Sequence, residues 1–361
     1  MNSLGRIFRI TYFGESHGQA IGVVVDGCPA GLKLEEKDIQ PDLDRRRAGS
    51  GPAATARREK DRVEIWSGTM NGFTTGAPLC LVIRNEDIDD SNYDELKDLP
   101  RPGHADLAAR IRYGGFHDYR GGGIFSGRRT VAYVMAGAVA RKLLAGIGIE
   151  ILGHTVKIGG TGVGKAGIDD IRKAAGNALR CADPAAAAEM NEAIRQAREE
   201  GDSLGGIVEV VALNVPAGLG EPVFGGLDAE LARAVMCIPA VKGVEFGAGF
   251  GAAELKGSGN NDAYSIVNGA ISSATNHAGG ISGGISNGMP VVLRAAVKPT
   301  PSIAREQKTV DIINMKETVI SVGGRHDACI VPRAVAAVEA MTAVTLCDMA
   351  RCAGLIPEVL K

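Results

Sequence analysis

Aromatic side chains are scarce: one tryptophan, six tyrosines and eight phenylalanines make up 4% of 361 residues. Charge of either sign is not in excess either. Forty Lys and Arg against 42 Asp and Glu leave a formal net charge of −2, which argues against general nucleic-acid binding. The seven cysteines, Cys28, Cys80, Cys181, Cys237, Cys329, Cys347 and Cys352, contain no C-x-x-C pair and are odd in number. The N-terminus lacks the apolar core of a signal peptide, so reduced, mostly buried thiols in the cytoplasm are expected. The longest apolar stretch, 131–151, is interrupted by Arg141 and Lys142, which leaves no membrane span. There is no H-E-x-x-H and no Cys/His cluster, so no metal site is expected.

Glycine, by contrast, is abundant. Fifty residues are glycine, about twice the ordinary usage of ~7%. They sit in short clusters between well-patterned segments, which points to tight turns and close approach of backbone to ligands. The chain is 45% hydrophobic, enough for a sizeable core. With no internal repeat and no Pro/Ser-rich linker, residues 1–361 read as one domain.

β-branched content and bounding glycines predict strands at 20–26, 62–67, 79–84, 149–158, 206–215 and 290–297. Helices are expected at 128–145, 185–200, 227–237 and 332–352. The first and last of these are apolar nearly all round and should be buried; 185–200 is amphipathic and belongs on the surface. Strands come in neighbouring pairs without strict helix alternation, which favours an α+β class over a doubly wound parallel sheet.

Between these segments lie the chemically dense loops. Gly14-Glu-Ser-His-Gly18 has the form of a nucleophile elbow, G-x-S-x-G. An elbow needs a helix after the serine, yet the following residues read as a strand. Gly159-Gly-Thr-Gly-Val-Gly-Lys165 approaches a P-loop, but Ala166 stands where the magnesium-binding hydroxyl belongs; a surface turn is the better expectation. A serine hydrolase using Ser16 and a nucleotide-binding protein using Lys165 are thus the competing readings. Residues 44–62 carry seven basic against three acidic residues and read as an ordered or closing loop that clamps phosphate or carboxylate. Arg101-Pro-Gly-His-Ala-Asp106 adds an arginine and a histidine at a turn. Asp118-Tyr-Arg-Gly-Gly-Gly123 runs through Ser126-Gly-Arg128 into a helix, where backbone N–H groups suit an anion. Of the six histidines, His17, His104 and His326 lie in such loops and suit proton transfer. His277 reads equally as a backbone-bonding residue, and His117 and His154 as structural.

Taken together, these strings resemble the chorismate synthase family. Besides the motifs above, with Asp44-Arg-Arg-Arg47 among them, the matches are Asn276-His-Ala-Gly-Gly280, Lys298-Pro-Thr-Pro-Ser302 and Gly324-Arg-His-Asp327. They occur in the family's order. The resemblance implies an anti-1,4-elimination of phosphate and a ring proton from 5-enolpyruvylshikimate 3-phosphate, giving chorismate. It implies a requirement for reduced FMN and a homotetramer of β-α-β sandwich subunits, with antiparallel sheets enclosing helices. Two electron sources stay open, NADPH oxidised by the protein itself or an external reductant. By the resemblance, His17 protonates the leaving phosphate and His104 tunes the reduced flavin near N1. Asp327 with Ser16 relays the substrate proton near flavin N5, and Arg46, Arg101 and Arg128 hold anions. Ile124, Phe125, Ser126, Pro239, Ala240, Gly283, Lys298, Pro299, Thr300, Pro301 and Ser302 would line the flavin, with Arg325 on the flavin or an anion. Pro52 and Ile124 depart from the family pattern.

Overall fold

Two five-stranded antiparallel sheets enclose a layer of helices in the computed structural model, which describes residues 2–47, 60–86, 97–322 and 327–361. The first sheet contains β1 (Ser3–Leu4), β2 (Arg9–Gly14), β3 (Ala20–Asp26), β4 (Val63–Ser67) and β5 (Leu79–Arg84), in the order β1-β2-β3-β5-β4. The second contains β6 (Glu150–Ile158), β7 (Thr161–Gly162), β8 (Gly206–Leu213), β9 (Val241–Phe246) and β10 (Val291–Val297), in the order β9-β10-β8-β6-β7. The helices used below are α1 (Glu36–Arg46), α2 (Asp106–Tyr113), α3 (Thr130–Ala145), α4 (Ile168–Ala174), α5 (Pro184–Glu199), α6 (Leu227–Met236) and α7 (Val331–Cys352).

The layering follows from where the apolar side chains fall. β10 alternates strictly, burying Val291, Leu293, Ala295 and Val297, as a strand with one face on a core should. α3 and α7 are buried along most of their length. They pack on each other, with the first sheet lying on α3 and the second on α7. The two helices approach closely because α3 has Gly137 at the crossing. A Cβ there would stand 2.4 Å from the Cβ and 2.5 Å from the Cα of Ala340 on α7. The α+β class and the sandwich expected from sequence are therefore observed.

Buried acids on α7 tie the layers together. Asp348 accepts the backbone N–H groups of Arg6, Ile7 and Phe8 at 2.8, 2.8 and 2.9 Å. Glu339 accepts the Gly153 N–H of β6 at 2.7 Å and pairs with Arg45 of α1. A buried carboxylate needs such partners.

Several expectations need correction. Asp44, Arg45 and Arg46 do not belong to a loop; they form the last turn of α1. That helix is set by a capping box between Glu35 and Asp38 and by buried Ile39 and Leu43, and it tolerates Pro41. Residues 48–59 of the arginine-rich segment, Pro52 among them, lie outside the described residues. The strands β1, β7 and β9 and the helices α1 and α2 were not foreseen. The remaining expected strands and helices form within a few residues of their expected limits. Gly159 and Gly160 turn a hairpin between β6 and β7, pairing Ile158 with Thr161, and Lys165 is exposed. No strand-to-helix phosphate cradle is built there.

Candidate active site

The site grows from the turn between β2 and β3. Those strands pair antiparallel, Gly14 opposite Ile21, so Gly14–Gly18 is a hairpin turn and not a strand-to-helix elbow. Asn85, just past β5, holds that turn by donating to the Glu15 and Gly18 carbonyls at 3.1 and 2.7 Å. Ser16 and His17 are buried in it, 1% and 7% exposed.

The glycine-rich segment 120–123 covers this turn. Gly121, Gly122 and Gly123 all adopt positive φ, 57°, 82° and 52°, a region that only glycine enters freely. Side chains are excluded there by contact as well. A Cβ on Gly121 would lie 2.3 Å from His17 Cδ2 and 2.8 Å from Ser16 Oγ. One on Gly122 would lie 2.9 Å from His104 Cε1 and 3.6 Å from an Arg101 guanidinium nitrogen. The backbone of 121–122 thus lies against Ser16 and His17 on one side and His104 and Arg101 on the other. Three motifs far apart in sequence meet there.

His104 is held by its own loop. Its Nδ1 contacts the Asp106 carboxylate at the first turn of α2. Arg101 grips the same carboxylate through Nε at 2.8 Å and a terminal nitrogen at 2.9 Å, and donates to Ser302 Oγ at 3.2 Å. Burial works against ionisation of Asp106, but the His104 and Arg101 contacts outweigh it and hold its pKa well below the usual range. The Lys298 ammonium donates to the Gly103 carbonyl, and the Lys298 N–H to Ala240 O at 2.9 Å. Residues 298–302, 239–240 and the His104 loop are therefore neighbours. Arg129 links Ile124 O to Cys237 O at 3.1 and 2.6 Å, which brings 124–126 to the same region. Gly283 is the exception. Its turn meets the start of α6, through Leu227 N–H to Gly284 O at 2.7 Å. Pro239 and Ala240 follow the other end of α6, about 15 Å along a ten-residue helix.

Arg46 and Arg128 are nearly buried, 4% and 7% exposed, and share Asp61 between them. Arg46 donates to Asp61 Oδ2 at 3.2 Å and to Thr130 Oγ1 at 2.8 Å; Arg128 pairs with Asp61 Oδ1 and donates to Asn85 Oδ1 at 3.2 Å. Asp61 is desolvated, yet the charges of Arg128 and Arg46 hold its pKa below the usual range. Burial and the nearby Arg333 pull the pKa of Arg46 down, with Asp61 and Asp327 opposing them. Asp327 forms an ion pair with Arg333 at 2.5 Å. The expected anion-holding arginines thus rest on carboxylates in this state, because a buried guanidinium needs a counter-charge. Asp61, Asn85 and Arg333 were missed from sequence, and Asp106 closed a quoted motif without being given a role. Short-range patterns carry no sign of the first three: Asp61 reaches Arg128 across 67 positions. Arg325 and His326 lie outside the described residues.

Among the described residues, no group of His, Cys, Asp or Glu is arranged to hold a metal ion, and no helix is long and apolar enough to cross a membrane. Thr300 Oγ1 and Asp327 Oδ1 are among the eleven buried side-chain polar atoms with no hydrogen-bond partner among the described residues. Both sit in segments expected to meet the flavin, and Ser203 and Leu204 join those segments, Ser203 Oγ to Thr300 O at 2.7 Å and Leu204 N–H to Ala328 O at 2.8 Å. Such orphaned donors and acceptors fit a polar cofactor.

Comparisons with known proteins bear on the family and the fold. Residues 8–350 match the family model described as chorismate synthase. A chorismate synthase of Dehalococcoides mccartyi is 55% identical over 361 residues, covering 100% of this chain and 99% of that protein. One of Korarchaeum cryptofilum is 52% identical, covering 95% of this chain and 96% of the relative. A crystal structure of a chorismate synthase superposes with a TM-score of 0.76 at 34% identity, over 96% of this chain and 92% of the other. Motif order, sandwich architecture and full-length similarity lead to one assignment: the chain belongs to the chorismate synthase family.

Proposed function

We infer that this chain carries out the family's carbon–oxygen lyase reaction. Phosphate and a ring proton leave 5-enolpyruvylshikimate 3-phosphate in an anti-1,4-elimination, giving chorismate, the last common step toward the aromatic amino acids. The observation that carries this reading is the meeting of Ser16, His17, His104 and Arg101 against Gly121 and Gly122. The family uses a flavin, which we propose is reduced FMN; it supplies electron density transiently, with no net redox change.

The residues divide the work by their surroundings. His17, buried beside the ionised Asp118 and the glycine backbone, protonates the departing phosphate; the pKa of Asp118 is depressed chiefly by Arg120 against burial, with His17 contributing. His104 is oriented by Asp106, which fixes its ring toward the region where the flavin would be held. Ser16 and Asp327 pass on the proton taken from the substrate, Asp327 held in place by Arg333. Arg46 and Arg128 supply fixed positive charge for the substrate's anionic groups, as electrostatic stabilisation of a leaving phosphate requires. Arg101 in this state organises Asp106 and Ser302, and Arg325 completes the assigned arginines. Ile124, Phe125, Ser126, Pro239, Ala240 and 298–302 would hold FMN, with Gly283 the outlying member.

Residues 1–361 form one folding unit in this reading, supported by a buried cluster that includes side chains from Phe8 to Ile356. A cytoplasmic homotetramer without nucleic-acid or membrane partners belongs to the same proposal. Tyr264, Ile266 and Ile271, each more than 70% exposed on one hairpin, support burial between copies. Light scattering that finds only monomer would sink the tetramer. For the reaction, purified protein with chemically reduced FMN should release phosphate from the substrate anaerobically, and no release would refute it. Aerobic turnover with FMN and NADPH alone identifies NADPH as the reductant, and inactivity assigns an external one.

A further inference from the structure

Asp61 stands out among the charged groups near the site. Its backbone has φ 45°, in the left-handed region that few non-glycine residues enter, aspartate more readily than most. Its side chain is 2% exposed and each oxygen is taken by a different arginine, Oδ2 by Arg46 and Oδ1 by Arg128. The charges packed around Arg46 come from three other parts of the fold: Asp61 before β4, Arg128 before α3, and Asp327 with Arg333 at the start of α7. Among the described residues, three guanidinium groups therefore face two carboxylates, and Asp61 is the one of those carboxylates that bridges two of them.

We propose that Asp61 is a positioning residue that fixes Arg46 and Arg128 as paired cations for the anionic groups of the substrate. The proposal rests on the assignment of those arginines to substrate binding. An isolated guanidinium can swing among rotamers; two of them locked on one carboxylate present a fixed pair, so less ordering remains to be done on binding. An amide at position 61 has one acceptor and one donor end. It satisfies one arginine, turns N–H toward N–H at the other, and removes the counter-charge.

The test uses three variants of the full chain with reduced FMN, assayed by phosphate release well below each melting temperature. Asp61→Asn should lower kcat/KM about 30-fold or more, the range for stripping one partner from a buried charge pair, with most of the loss in KM. Asp61→Gly is tolerant of the positive φ and leaves room for a small anion. Added formate should raise its kcat/KM at least about tenfold, whereas neutral formamide should not, and neither should alter the unmodified protein. Asp61→Glu keeps the charge and should lose less than Asp61→Asn. A native KM in Asp61→Asn overturns the proposal, as does an Asp61→Gly variant that formate does not rescue or that formamide rescues equally. Should Asp61→Asn not fold, the formate response of Asp61→Gly decides. Native KM in Arg46→Ala and Arg128→Ala would instead show that the underlying assignment of the arginines is wrong.

Discussion

Gly121→Ala is the sharpest perturbation of the site, because it adds one methyl group. The new Cβ would stand 2.3 Å from His17 Cδ2, 2.5 Å from His17 Nε2 and 2.8 Å from Ser16 Oγ. Ordinary carbon contacts begin near 3.5 Å, so the imidazole or the 120–123 segment must give way by about 1 Å. The backbone adds its own cost, since φ of 57° is worth about 1–2 kcal/mol against alanine. Misplacement of a reacting group by about 1 Å costs on the order of 100-fold in rate. Anaerobic phosphate release with chemically reduced FMN should therefore show kcat about 100-fold lower, while flavin titration by fluorescence shows binding largely kept. Gly160→Ala is the control: no heavy atom lies within 4 Å of its Cβ position and its φ is not positive, so activity should be native. Native kcat in Gly121→Ala would refute the claim that this backbone seats His17.

Other outcomes follow from the same contacts. His17→Ala should slow phosphate release by about 10²–10⁴ while retaining flavin, the scale of a lost acid or base. Gly137→Ala pushes a methyl into Ala340 at the α3–α7 crossing; the melting temperature should drop by an amount equivalent to about 1–3 kcal/mol, with per-molecule activity largely kept in the cold. The depressed pKa of Asp106 means its stabilising contribution is present above about pH 4 and fades as pH falls further. Asp106→Asn should thus be less stable than the unmodified protein at pH 7 by chemical denaturation, the gap closing below about pH 4.

Much of this architecture was legible in the sequence, and the exceptions share a physical cause. α3 and α7 announce themselves because they are apolar nearly all round, and β3 because β-branched residues run between glycines. α1 hides behind Pro41 and its charged residues; what makes it a helix is a capping box and the burial of Ile39 and Leu43, which local composition scarcely signals. In the site, residue types at Ser16, His17 and His104 advertise chemistry. Their meeting depends on the φ angles of Gly121 and Gly122, and no spacing along the chain displays that. Arg46, Arg101 and Arg128 read as free anion clamps, because the carboxylates that engage Arg46 and Arg128 arrive from other parts of the fold, and the one that engages Arg101 sits at the start of an unforeseen helix.

The grip of Asp348 on residues 6–8 orders events during synthesis. Three consecutive amide groups in the connection between β1 and β2 find their acceptor on a side chain encoded some 340 positions later. The strands of that sheet can pair as they emerge from the ribosome, but the β1–β2 connection stays unanchored until α7 has been made. Closure of the fold is therefore a late, long-range event, dominated by contacts of high sequence separation. A chain stopped before α7 would leave α3 and the second sheet without the helix they pack on, surfaces that invite association with other incomplete chains.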